Sequence, residues 1–387
     1  MKKNILYIST SLFPKGQAYS TRLVNFARLF NFLEIDVHII SDFTYEVFTD
    51  SKAENCFEGC TYQIVSGKPT SFNRIRSTFN STKIIKEYLD HNSVDFVIIG
   101  NCYDRFNRVK RICKERKIPL ILEICEWYDT KLRKFGNLNP YNFIYNRCMK
   151  YDYIKSDGVI AISQYLYNYF KRYTDNVIRI PTILDTYNTE YSLETKNNKI
   201  VIVHVGFSGR HKEKFKNILI ALQLLEKKQN KFEYNIYGSD KADVLKNLGS
   251  DEQLLESLSG CVNVKGRVPQ DKVNSIFMNA DFSIFIRPQK RSSNAGFPTK
   301  LAESMIAGTP VISNNTGDIG SYLINGENGY LLKDDSPEAI KDVFIRILEM
   351  KEQDFRVMRK NARRTAEMNF DFRIYSNEVR KLLSEVK

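Results

Sequence analysis

Short, nearly continuous apolar runs recur along the chain, separated by longer amphipathic stretches. In the first half the runs are NILYIS (4–9), IDVHIIS (35–41), VDFVIIG (94–100), PLILEIC (119–125), DGVIAIS (157–163) and VIRI (177–180). Runs of this kind, β-branched and apolar on both sides, are strands of a parallel sheet covered on both faces. Helical spacing of apolar residues lies between most of them, as in STRLVNFARLFNFL (20–33). The alternation predicts a doubly wound α/β domain. A polar stretch without period, TYNTEYSLETKNN (186–198), reads as a linker. The pattern then restarts with KIVIVHVG (199–206), FEYNIYG (232–238), VNVKGRV (262–268), DFSIFI (281–286), TPVIS (309–313) and GYLLK (329–333). Helical segments follow at about 336–350 and 352–368, before a last helical pattern at the C-terminus.

The expected fold is therefore α/β: two facing Rossmann-like doubly wound domains with a cleft between them. The first is expected over residues 1–190, with the C-terminal helix at 371–387 packing back on it, and the second over 191–370. In open sheets of this kind ligands bind outside the carboxyl ends of the strands, so functional motifs are expected just after strands.

Composition changes this picture little. The chain has 387 residues, enough for two domains, with 42% hydrophobic and 27% charged residues. Its net charge of +13 is spread over both halves, with 27 Lys and Arg against 20 Asp and Glu in residues 1–190. Such a surface favours anionic partners without choosing among them. Seven scattered cysteines match no zinc spacing and read as reduced thiols. The apolar start is short and interrupted by Ser and Thr, so a first strand is expected rather than a signal peptide. No apolar run approaches membrane-spanning length. A cytoplasmic location is expected. No metalloprotease, P-loop or nucleophile-elbow motif occurs, no DxD pair stands ready for a metal–diphosphate unit, and no nucleic-acid module is visible.

The candidate chemistry sits where strands end. In GFPTKLAESMIAGTPVI (296–312), Pro298 suits a first helical position and Gly308 the residue past the end. The helix start offers free N–H groups to an anion, Lys300 adds charge and Thr299 a hydroxyl. Glu303, one turn on, is acceptor-only when ionised and suits a diol such as a ribose. The alternative is a solvated Lys–Glu pair. In VHVGFSGRHKEKFKN (203–217), Gly206 and Gly209 permit close backbone approach, and Arg210 and Lys216 could grip phosphate. A merely solvated basic loop is the alternative, and Lys212 and Lys214 blur the assignment. The long loop STSLFPKGQAYSTR (9–22), with Gly16 as a candidate donor-binding residue, follows the first strand, where such loops bind ligands at the sheet edge, but it lacks dinucleotide spacing; the alternative is a loop that is merely long. EICEWYDTK (123–131) puts Glu126, the lone Trp127, Tyr128 and Asp129 at a strand end, either as a sugar or acceptor site or as packing under a loop. DRFNRVKRICKERK (104–117) is an amphipathic helix with seven cations, suited to an anionic membrane surface or simply to water.

RPQKRSSNAGFPTKLAESMIAGTPVISNN followed by INGENGYLL resembles the C-terminal signature of glycosyltransferase family 4, retaining nucleotide-sugar transferases of the GT-B fold. KSDGVIAISQYL with IRIPTILD resembles that family's exit from its N-terminal domain, and VGFSGRHKEKFKN and VNVKGRVPQDKVNSIFMNADFSIFI match its donor domain in order and spacing. The likeness is dense over the second half and loose over the first. It implies that Glu303 binds the donor ribose and that Arg210 and Lys216 stabilise the departing diphosphate. It also implies that the Phe297–Thr299 backbone lines sugar and phosphate, and that the segment around Val268 meets the base, beside the candidate donor-binding glycines Gly206 and Gly209. No metal or other cofactor is expected. The P-T-K-x-x-E form looks like enzymes of bacterial surface polysaccharides such as capsule or O-antigen. That implies a saccharide or undecaprenyl-diphosphate-linked acceptor and a peripheral place on the inner face of the cell membrane, with no nucleic-acid partner.

Two departures qualify this. The family's first glutamate falls on Ala295, so the usual contact to the donor sugar is absent. A histidine often follows the strand at 119–125, and here Glu126 is the nearest polar candidate for a catalytic role. The competing functions are a nucleotide-sugar epimerase-like enzyme of the same fold and a non-enzymatic two-domain sugar-binding protein. The first would need its own histidine and acid set. The second would not need Arg210, Lys216 and Lys300 in one place.

Overall fold

The computed structural model describes residues 2–46, 48, 50, 53–100, 102–129, 139–194, 198–207 and 213–386. They form two compact units, Met1–Leu184 with Phe372–Lys387, and Asp185–Asp371.

The first unit is built on a sheet of eight strands: β1 (Asn4–Leu12), β2 (Asp36–Phe43), β3 (Glu54–Phe57), β4 (Cys60–Ile64), β5 (Phe96–Gly100), β6 (Leu120–Ile124), β7 (Gly158–Ala161) and β8 (Val177–Arg179). Their order is β3-β4-β2-β1-β5-β6-β7-β8. All neighbours are parallel except β3, which runs antiparallel to β4. Helices α1 (Ala18–Phe32), α2 (Ser71–His91), α3 (Phe106–Arg116), α4 (Pro140–Arg147) and α5 (Gln164–Phe170) make the crossovers and connections. All the first-half strands expected from apolar runs are present. The β3–β4 hairpin is an addition. Its exposed edge strand has no apolar run to announce it, and its turn places Glu58 and Gly59 at φ 49° and 76°. Two positive φ values make the tight turn whose twist suits a hairpin. Glu58 is held there by Arg28, 2.8 Å from its carboxylate, and by Asn31, which donates to its carbonyl.

A buried polar knot fastens α1 to the sheet. Arg22 Nε donates to Glu123 Oε1 on β6 at 2.7 Å, with both side chains almost fully buried. The guanidinium also donates to the carbonyls of Ile180 and Pro181, and Tyr19 and Cys125 donate to the same carboxylate. Gly100 at the end of β5 is required here, because a Cβ would lie 2.0 Å from the Tyr19 hydroxyl.

The second unit has six parallel strands, β9 (Ile200–Val205), β10 (Phe232–Tyr237), β11 (Val262–Gly266), β12 (Phe282–Phe285), β13 (Val311–Asn314) and β14 (Gly329–Leu332). They lie in the order β11-β10-β9-β12-β13-β14. Counted within the unit this is 3-2-1-4-5-6, the dinucleotide-fold order, whose switch point falls between β9 and β12. Helices α6 (Phe215–Gln223), α7 (Lys241–Leu248), α8 (Glu252–Ser257), α9 (Val273–Met278), α10 (Arg291–Ala295), α11 (Thr299–Ile306), α12 (Pro337–Leu348) and α13 (Glu352–Asn369) flank it. The described part of the stretch read as a linker is fastened to this unit. Arg363 on α13 donates to the carbonyls of Thr186, Thr189 and Ile306, and Arg359 donates to those of Ser192 and Ala280. Polarity without period did not mean freedom here, because backbone carbonyls, not side chains, make the attachment. The last helix, α14 (Ser376–Glu385), buries Val379, Leu382 and Leu383 in the core of the first unit.

Glu123→Ala would leave the Arg22 charge buried without its carboxylate, at a cost of about 3–5 kcal/mol. Guanidinium unfolding of the variant should show a matching fall; an unchanged midpoint would mean that the knot is not what holds α1.

Candidate functional site

The site candidate lies at the switch point of the second unit, where β9 and β12 end and their connections diverge. Three adjacent strands finish there in glycines with positive φ: Gly206 (131°), Gly238 (91°) and Gly266 (72°). Their backbones are tied in a row, Gly206 N–H to the Tyr237 carbonyl and Gly238 N–H to the Gly266 carbonyl. A Cβ on Gly238 would come within 2.6–2.9 Å of the Gly206 backbone. Only glycine lets these ends approach, and the result is bare backbone at the rim of the sheet.

Helix α11 points its first turn into this region. It starts at Thr299, one residue later than expected: Pro298 has extended ψ (104°) and stands before the helix. Leu301, Ala302, Met305 and Ile306 are buried, and Gly308 turns the chain at φ 78°. Ser304 is also buried, and its hydroxyl donates to the Thr309 carbonyl.

Lys300 reaches back under the glycine rim. Its Nζ would lie 3.6 Å from a Cβ on Gly206 and sits 5.5 Å above the Phe285 ring. The ammonium donates to Glu213 Oε1 at 2.8 Å and lies 3.2 Å from His204 Nε2. His204, on β9, is fully buried, and its Nδ1 lies 3.3 Å from the Ile284 carbonyl. Burial first, and Lys300 second, depress the His204 pKa far below its usual value, so the ring is neutral. A neutral ring that donates from Nδ1 to a carbonyl presents an acceptor at Nε2, which suits the ammonium. Burial also lowers the Lys300 pKa, against the raising effect of Glu213. Lys300 and Glu213 keep only 13% and 7% of their side-chain surface, so this is a buried pair, with one carboxylate oxygen, Glu213 Oε2, unpartnered among the described residues. Arg287, just past β12, is close enough to lower the Lys300 pKa as well, so two cations share the pocket.

Glu303 stands one turn along α11. Burial pushes its carboxyl up to about 7, and Lys300 only partly offsets this. A half-buried carboxylate with so little compensation is poised for a hydrogen-bonding partner.

The sequence-expected residues divide as follows. Gly206, Phe297, Pro298, Thr299, Lys300 and Glu303 come together at this switch point. The Phe297 ring packs inward against Tyr322 and Phe370, which leaves only its backbone on offer. Lys216, on the first turn of α6, is half-exposed and lies 3.0 Å from Asp251, so here it is paired away from Lys300. Lys214 is likewise engaged, by Asp335. Gly209 and Arg210 lie outside the described residues. Val268 follows β11 and is half-buried. Gly16 and Glu126 belong to the first unit: Gly16 turns after β1 at φ 126°, and Glu126 follows β6, its carbonyl accepting from Tyr145 at 2.6 Å. Trp127 is packed, T-shaped on Tyr169 with its N–H on Asn146, so packing is what the structure shows there. His204, Glu213 and Arg287 were not picked out as site residues. Isolated charges in strand and loop carry no local signal; only nearness to Lys300 reveals them, His204 and Glu213 by contact and Arg287 by its charge. Among the described residues no group of three or more His, Cys, Asp or Glu could hold a metal ion.

Residues 188–365 match the family description "Glycosyl transferases group 1". An uncharacterized glycosyltransferase of Methanocaldococcus jannaschii is 25% identical over 64% of this chain and 64% of its own length. The amylovoran biosynthesis glycosyltransferase AmsK of Erwinia amylovora is 26% identical over 43% of this chain and 40% of its own. The chain thus spans less than two thirds of either relative. Among solved structures, sucrose-phosphate synthase of Thermosynechococcus elongatus superposes with TM-score 0.76 at 14% identity, covering 99% of both chains. Anabaena HepE in complex with UDP-glucose does so with TM-score 0.67 at 15% identity, covering 98% of this chain and 99% of its own. The fold is GT-B.

The raised Glu303 pKa has a sign that can be checked. The unfolded chain ionises this group in the ordinary carboxylate range, while the folded protein keeps the proton until about pH 7. Across that window the folded state binds more protons, so its stability falls as pH rises. Glu303→Gln removes the penalty and should stabilise the ligand-free protein by about 1–3 kcal/mol at pH 8, with little effect at pH 5. Urea unfolding at both pH values measures it; a variant no more stable than wild type at pH 8 would count against the burial argument.

Proposed function

We propose that this protein is a retaining, metal-independent glycosyltransferase that moves a hexosyl group from a nucleoside-diphosphate sugar to a saccharide. The single observation that carries the reading is the buried Lys300 ammonium beneath the Gly206 rim, at the head of α11, with Glu303 one turn behind it. A diphosphate placed at the helix start would meet free backbone N–H groups, the Thr299 hydroxyl and the Lys300 charge. Glu303 would then accept from the two ribose hydroxyls. In the reaction the bond from the anomeric carbon to the diphosphate oxygen breaks, and its electron pair leaves with the nucleoside diphosphate. The acceptor hydroxyl bonds to the same face of that carbon and passes its proton to the departing diphosphate oxygen. The developing phosphate charge is what needs help, and fixed cations with a helix N-terminus supply it without reorganising. By resemblance Arg210 and Lys216 add to this, Lys216 after release from Asp251, and Glu126 is the polar group assigned to the acceptor side.

Uridine diphosphate is the first nucleotide to test, since UDP is named with HepE and with the pneumococcal transferase GtfA among the structural neighbours. The acceptor is taken to be a saccharide or an undecaprenyl-diphosphate-linked saccharide in surface-polysaccharide assembly, as the AmsK name suggests, with the protein at the inner membrane face.

Charge-assisted hydrogen bonds contribute about 1.5–3 kcal/mol each. Glu303→Gln and Lys300→Met should each therefore lower kcat/KM for the donor roughly a hundredfold or more. Because only the ionised Glu303 accepts both hydroxyls, wild-type affinity for UDP-glucose should fall below pH 7, and the Gln variant should lose that dependence. Titration calorimetry at pH 6 and pH 8, with turnover of UDP-sugars, decides this. No UDP binding at either pH, or full activity in Glu303→Gln, would overturn the reading.

A further inference from the structure

Helix α2 carries its amphipathicity the wrong way round. Its inward positions are Ser77, Ser81, Ile85 and Leu89, at a spacing of four. In the first half of the helix the packed face is thus polar: Ser77 donates to Asp42 at 3.2 Å, and Ser81 accepts from Arg105 at 2.7 Å. The opposite side presents Phe72, Ile75 and Phe79, exposed at 71%, 65% and 69%. At 100° per residue these three form one stripe, and Arg76, between Ile75 and Phe79, and Lys83 and Lys86, farther along, fall on the same side.

The charge around the stripe is one-sided. Residues 65–86 contain five Lys or Arg and no Asp or Glu. Helix α3 lies beside α2, joined by Arg105 to Ser81 and by Arg116 to Asp90. It buries Phe106, Val109, Ile112 and Cys113 and leaves Arg111, Lys114 and Lys117 exposed. Its apolar face is therefore spent in the core, and α3 contributes only cations. The acids on the two helices are close to cations of their own: Glu87 to Lys83, Asp90 and Glu115 to Arg116, and Asp104 to Arg105. Exposed aromatic and branched apolar side chains inside a basic field fit the boundary of an anionic bilayer, where the rings enter the headgroup layer and the cations meet lipid phosphates. A water-facing helix gains nothing from two exposed phenylalanines at this spacing.

We propose that the outer face of α2, with Phe72, Ile75 and Phe79 as the inserted groups and the cations of α2 and α3 around them, docks this protein on an anionic membrane surface. This deepens the membrane placement suggested above and rests on it only for its biological setting.

The test is co-sedimentation of the full chain with vesicles of phosphatidylcholine and phosphatidylglycerol at 3:1, against phosphatidylcholine alone. Wild type should bind the anionic vesicles at least tenfold more tightly than neutral ones, and less tightly as salt rises. The variant Phe72→Ser/Ile75→Ser/Phe79→Ser should lose roughly tenfold or more of that binding, with unchanged circular dichroism and UDP affinity. Arg76→Glu/Lys83→Glu should lose it too, which separates charge from insertion. Wild type that ignores anionic vesicles, or a triple variant that binds like wild type, overturns the proposal. So does a wild-type dimer that the triple variant converts to monomer without any vesicle binding, since the stripe would then be an interface between copies. Vesicle binding without UDP binding would instead refute the transferase reading and leave the docking surface standing.

Discussion

A single buried cation organises the second unit's site. Lys300 is held under Gly206 by a carboxylate on one side and a neutral imidazole on the other, with an aromatic ring beneath. Placing an ammonium in so enclosed a position is costly unless its partners are fixed. The surrounding structure supplies that fixity. His204 is locked on β9, Glu213 is held just before α6, and α11 is anchored by its buried stripe. The bare glycine rim lies directly against the ammonium. The arrangement keeps a positive charge ready without letting water neutralise its effect.

The same physics marks Glu303. Burial raises its pKa, and Lys300 lowers it only in part. One carboxylate serves structure by pairing and the other is left under tension. A carboxyl raised by burial beside a buried cation is a common sign of a working site. The first unit shows a contrasting use of buried charge. The Arg22–Glu123 and Arg105–Asp42 pairs are satisfied on nearly every side by carbonyls, hydroxyls and a thiol. Those knots tie helices and loops to the sheet.

Much of this was readable before any coordinates. Every apolar run named as a strand is a strand, because a strand buried on both faces must be apolar throughout and short. The α11 helix was bounded within a residue by its proline and glycine. What escaped was held by groups that carry no period. The β3–β4 hairpin is an exposed edge closed by a glutamate at positive φ, and Thr186 and Ser192, in a stretch that reads as free, are gripped at their carbonyls by arginines distant in sequence. Lys216 was picked for its place in a loop, yet Asp251 from another element claims it.

The sequence by itself determined the alternation of strand and helix, the class of fold, and the presence of Thr299, Lys300 and Glu303 on one helical turn. Those depend on local periodicity and on the few backbone shapes open to Pro and Gly. Only the tertiary structure decided that Lys300 meets His204 and Glu213, which lie 96 and 87 residues away along the chain. It alone decided, too, that the apolar side of α2 faces outward while its serines face the core. Contacts over such separations are set by which strand lies beside which, and by what a neighbouring helix has already buried. No periodicity within one segment records either.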